Sequence, residues 1–134
     1  MARPEVWRYP TATAHAHIDN GLSIVTIKGV VTPATAAQIL ADNARWLTVS
    51  DALAQVASYQ DSVIAISPDE LALSAFQLAD VGLSAPTALL VAPSQHAAVD
   101  RYCSLMATQG ICRAPALQWE QALAWAQRQA VVMR

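Results

Sequence analysis

The stretch AHAHIDNGLSIVTIKG, residues 14–29, decides how the rest of the chain is read. Its centre, Asn20-Gly21, is the pair that a two-residue type I′ turn selects, because both central residues of that turn need positive φ. Closing a hairpin there sets His17 opposite Ile24 and His15 opposite Thr26. Ala16, Ile18, Val25 and Ile27 then share the other face, the one expected to meet the core.

Working outward toward the C-terminus, Gly29 precedes VVTPATAAQILADNARWL. Thr32 reads as an N-cap with Pro33 at the first helical position. Ala36, Ile39, Leu40, Asn43 and Leu47 follow helical spacing, and Gln38, Asp42 and Arg45 point to solvent. Residues 52–59 read as a short strand, and a turn or irregular connector carries Gln60, Asp61 and Ser62 into the apolar run 63–66. Ser67-Pro68-Asp69-Glu70 has the form of a capping box, in which serine and glutamate satisfy each other's backbone N–H groups. That helix is expected to reach about Asp80, with Gly82 beyond its end.

TALLVA, residues 87–92, is the clearest buried strand, ended by Pro93; Ser94 is the expected cap of a helix over 95–109. ICRAPAL (111–117) reads as a further strand and WEQALAWAQRQ (119–129) as a last helix. Toward the N-terminus, residues 1–11 carry two prolines and little periodicity, and read as an extended lead-in to one domain over 12–130. Strands alternating with helices predict a mixed α/β fold, mostly parallel, with an antiparallel N-terminal hairpin and about four helices.

Bulk properties narrow the function classes. At 134 residues the chain can bury roughly two-thirds of its unfolded surface in one core. Hydrophobic residues make up 54% and charged residues only 13%, so some apolar surface must face solvent, which hints at self-association or an apolar partner groove. A net charge of −2 without a basic run disfavours nucleic acid. The two cysteines, Cys103 and Cys112, do not make a disulfide scaffold and read as small apolar strand or helix residues. With no signal-peptide-like or membrane-spanning apolar run, a soluble cytoplasmic protein is expected.

The stretches IVTIKGVVTPATAAQIL (24–40), TALLVAP (87–93), RYCSLMA (101–107) and EQALAWA (120–126), in that order, resemble the bacterial SpoIIAA-like proteins. Their fold is that of the STAS domains of anti-sigma-factor antagonists, and Glu120, Ala122 and Trp125 match a helical ending of small uncharacterised members. The resemblance spans residues 12–128. It implies a protein-interaction module without enzymatic activity or cofactor, whose partner is another protein or a second copy. Some STAS domains are switched by phosphorylation at an Asp-Ser/Thr step on the helix after the central strand. Here Asp61-Ser62 falls before the apolar run, five residues ahead of the cap, and Ser67 holds the helix position without a preceding Asp. Ser67 and Ser62 are therefore the candidate phospho-acceptors, with Asp69 and Glu70 opposing added charge at Ser67.

Other candidates come from the residues themselves. Ser94 and His96 follow a buried strand, where open α/β sheets place ligands, and mark a cleft for a small apolar or anionic molecule together with the helix after Ser67. Leu73, opposite the core stripe Leu71, Ala75 and Leu78, and Phe76 at its edge are the candidate partner surface. His15, His17 and Asp19 share one strand face, but an ion needs further converging ligands, so no metal site is assigned. No base, nucleophile and oxyanion site are spaced for catalysis.

Overall fold

A computed structural model describes residues 2–77 and 85–133; of Phe76, Gln77 and Met133 it describes the backbone. The described residues form one six-stranded sheet in sequence order: β1 (Glu5–Arg8), β2 (Ala12–Asp19), β3 (Leu22–Val31), β4 (Ala54–Ile64), β5 (Thr87–Leu90) and β6 (Arg113–Ala116). The helices are α1 (Pro33–Ser50), α2 (Pro68–Gln77), α3 (His96–Ala107) and α4 (Trp119–Met133). β1 to β3 pair antiparallel, and β3 to β6 pair parallel. This is the mixed, mostly parallel α/β fold expected from the strand and helix alternation.

The hairpin closes as its turn chemistry requires, with Asn20 at φ 51 and Gly21 at φ 80. His15 faces Thr26 and His17 faces Ile24. Ala14, Ala16, Val25 and Ile27 are buried against Ile39, Trp46 and Leu47 of α1. Being central, β3 is covered on both sides, so Leu22 and Ile24 are buried too, against the alanine stripe Ala122, Ala126 and Ala130 of α4. Small residues at four-residue spacing let α4 lie close to the sheet. On the opposite face Ala75 of α2 and Val99, Cys103 and Met106 of α3 pack with Val91 and Leu89. One helix thus covers one face, and three cover the other.

Four expectations are corrected. Residues 1–11 are not a lead-in outside the domain: Glu5–Arg8 is an edge strand paired with β2. It is held by long-range bonds that no local pattern reveals. Arg45 grips Glu5 at 2.6 Å, and the Tyr9 hydroxyl donates to Asp42 at 2.6 Å. Asp42 and Arg45, expected to face only solvent, make these ties. Second, Gln60-Asp61-Ser62 is no connector. β4 runs unbroken to Ile64, and a bulge between the Thr26–Ser58 and Lys28–Asp61 pairs absorbs one extra residue. Third, Ser94 does not cap α3. It sits exposed in a 3₁₀ turn, Pro93–Gln95, and neither turn nor helix has a side-chain cap. Fourth, Cys112 is exposed just ahead of β6, whereas Cys103 is buried as expected.

The caps of α1 and α2 behave more simply. Thr35 N–H donates to Thr32 Oγ1 at 3.2 Å, and Glu70 N–H donates to Ser67 Oγ at 3.1 Å. Only the serine half of the expected capping box is formed among the described residues. The expected end of α2 near Asp80 and Gly82 lies outside them.

Candidate functional site

Parallel strands β4 to β6 all end toward the same edge of the sheet, and the first turn of α2 rises there. Ser67, Pro68, Asp69, Glu70 and Leu73 are exposed on it. Leu73 is 64% exposed, an apolar side chain presented beside two carboxylates. Arg101 of α3 reaches Asp69 at 3.3 Å. Ser67 is thus accessible, and among the described residues its hydroxyl oxygen is engaged by the Glu70 N–H alone. Ser62 is different: it is 8% exposed inside β4, and its hydroxyl donates to the Tyr59 carbonyl at 2.9 Å. The side chain of Phe76 lies outside the described residues.

The remaining residues singled out in the sequence lie apart from this turn. Ser94 is exposed and His96 half-buried at the start of α3, and neither borders the cavity between α1, α2 and the sheet. His15, His17 and Asp19 lie exposed along β2, and no group of three metal-ligating side chains occurs among the described residues. Cys103 is held away from nucleophilic chemistry, because burial pushes its thiol up to about 12.

A cavity of about 370 Å³ lies between α1, α2 and the sheet. Its exposed rim is Pro33 and Ala37 of α1 with Glu70 and Leu73 of α2. Its walls are apolar: Ile39, Leu40, Ile64, Leu71, Leu89 and Val99 all line it. Its inner end is polar. There the strand register aligns one polar residue per strand, Ser23, Gln55, Thr87 and Arg113, across four neighbouring strands.

These residues form a hydrogen-bonded row. Trp46 Nε1–H donates to Ser23 Oγ at 2.8 Å, and Ser23 donates to Gln55 Oε1 at 2.8 Å. Gln55 Nε2–H donates to Thr87 Oγ1 at 3.3 Å. Thr87 Oγ1 and Arg113 Nη1 both donate to the Ala85 carbonyl. Ser23, Gln55 and Thr87 are at most 1% exposed, so the row is a buried polar device. Sequence reasoning passed over it. Each strand carries its polar residue at its first or second position, but only the register unites them.

No protein-family model matches the sequence, and no curated protein matches it. Among solved structures the chain is similar to an anti-sigma factor antagonist from Mycobacterium paratuberculosis. The TM-score is 0.55 at 16% identity, over 90% of this chain and 99% of that one. The chain therefore has the fold that the stretches 24–40, 87–93, 101–107 and 120–126 resemble, that of SpoIIAA-like anti-sigma-factor antagonists. No described helix is long and apolar enough to cross a membrane.

Proposed function

We propose that this chain is a non-enzymatic regulatory module of the cytoplasm that docks another protein, an anti-sigma factor, on the exposed first turns of α2. The observation that carries the reading is Leu73, 64% exposed between α2 carboxylates, on a fold shared with an anti-sigma factor antagonist. A protruding apolar side chain rimmed by charge has the anatomy of a small docking patch, with an apolar centre and a polar rim.

Within this reading Ser67 is the regulatory position. Its hydroxyl is exposed and stands where the N–H groups of α2 meet solvent. A phosphoryl group there adds charge beside Asp69 and Glu70 and weakens docking by repulsion and bulk. Ser62 is the poorer acceptor, since its hydroxyl is turned to Tyr59.

Isothermal titration of the purified chain with each anti-sigma factor of its source organism tests the proposal. Saturable binding to at least one, weakened about tenfold or more by Leu73→Asp, supports it. If every such protein fails to bind, the assigned partner is wrong. If the variant binds as the parent does, the surface is wrong. Self-association that Leu73→Asp abolishes would make a second copy of the chain the occupant instead.

A further inference from the structure

The cavity between α1 and α2 is built unlike a packing flaw. About 370 Å³ lies in the range of small-molecule pockets. Its lining divides into an apolar length and a polar end. The distance from the Thr87 row to the Val91 row of the strand ending the floor is four residues, or about 13 Å.

At the inner end the protein supplies hydrogen-bond donors and few acceptors. Arg113 carries five N–H donors, and among the described residues its single bond is from Nη1 to the Ala85 carbonyl at 3.3 Å. No carboxylate among the described residues pairs with it. Tyr59 and Tyr102 border the same space, each close enough to Arg113 to feel its charge. Neither phenol has a hydrogen-bond acceptor among the described residues. The nearest polar acceptors are already committed: Gln55 Oε1 takes the Ser23 hydroxyl, and Thr87 Oγ1 takes the Gln55 amide. The exception is Asn43, 9% exposed on the cavity wall, whose Oδ1 is an acceptor with no partner among the described residues.

Burial pulls the Arg113 pKa down from its ordinary value, which means that its charge is poorly solvated where it stands. A guanidinium in that position gains most from an anion brought by a ligand. The single charge at the end matches a monoanion, and the planar fork matches a carboxylate. Glu70 at the rim repels that same anion, so the head belongs at the inner end and the apolar part toward the opening.

We infer that the cavity is a binding site for an aliphatic monocarboxylate, its head against Arg113 and the phenols, its chain along the apolar wall toward Leu73. The inference does not rest on the docking of a protein at α2. No bond is made or broken; the site holds and orients.

Calorimetric titration of the full chain with decanoate, decanol and inorganic phosphate, each below its aggregation limit, tests this. Decanoate is expected to bind once per chain, at least about tenfold more tightly than decanol, while inorganic phosphate gives no saturable heat. Arg113→Met should bring decanoate down to the affinity of decanol and leave decanol unchanged. Ala37→Trp, which plugs the rim from an exposed position and leaves the core intact, should abolish binding of both. Equal affinity for decanoate and decanol, tight binding of phosphate alone, undiminished decanoate binding by Arg113→Met, or no binding of decanoate would each overturn the inference. If Arg113→Met does not fold, the wild-type comparison of the three probes together with Ala37→Trp decides the matter.

Discussion

Gly29 stands in β3 at φ +110, where the turn from β1 into β2 crosses it. A Cβ at this position would press into the Thr11 carbonyl and come within 2.9 Å of the Ala12 Cα, both backbone atoms that cannot swing aside. Gly21 is also at positive φ, but a Cβ there meets nothing within 4 Å. Gly29→Ala should therefore cost roughly 2–3 kcal/mol and Gly21→Ala about 1 kcal/mol, read as shifts of the urea midpoint. At the same scale, Ser23→Ala strips a partner from both Trp46 Nε1 and Gln55 Oε1. Each orphaned group costs about 1–3 kcal/mol, far more than the loss of one hydroxyl from a surface. Chemical denaturation of Ser23→Ala against the exposed control Ser94→Ala separates the two. Neither role was legible: Gly29 stands inside β3 against a backbone that only the fold brings there, and nothing near Ser23 in the sequence announces its partners at Trp46 and Gln55.

Elements were legible where their signals are local. The β2–β3 turn, the Thr32 cap and the strand at β5 follow from neighbouring residues and stand where expected. β1 was not legible, because an edge strand of four residues draws its stability from β2 and from Arg45 and Asp42, 40 and 33 residues away. The far half of β4 was misread for a related reason. β5 pairs with β4 over Gln55–Ser58, so, among the described residues, 59–64 lack a strand on that side and tolerate the polar run that looks like a turn. The α1 cap offers a direct check at this scale. Thr32→Ala should destabilise the protein by about 1 kcal/mol and Thr32→Ser by much less, seen in thermal melts followed by circular dichroism.

For the molecule as a whole, the layered α/β order was readable, because strand and helix patterns alternate along the chain. The candidate site was readable only in its α2 portion, where Ser67 and Leu73 sit on one helix. The cavity and its polar row depend on register between strands 26 to 32 residues apart, which no single-strand pattern encodes. The buried ionisable groups set a whole-molecule property. Burial pushes the Tyr59 hydroxyl up to about 12 and the Cys103 thiol up to about 12, and it raises Tyr102 and Tyr9, the latter aided by its bond to Asp42. Each raised pKa means that the unfolded chain releases its proton first as pH increases. The stabilisation is complete below about pH 9 and is lost progressively toward pH 12. Urea midpoints should hold steady across neutral pH and fall steeply in that alkaline window; a flat profile through it would contradict the burial of these groups.

We propose above that the first turns of α2 are presented to an anti-sigma factor. Backbone amide shifts of the labelled chain, recorded as its anti-sigma factor is added, test it most directly. The largest changes should gather on residues 67–74 and the neighbouring rim, with α4 and β1 undisturbed. A footprint centred on α4 or β1, or spectra that do not change at saturating partner, would contradict it.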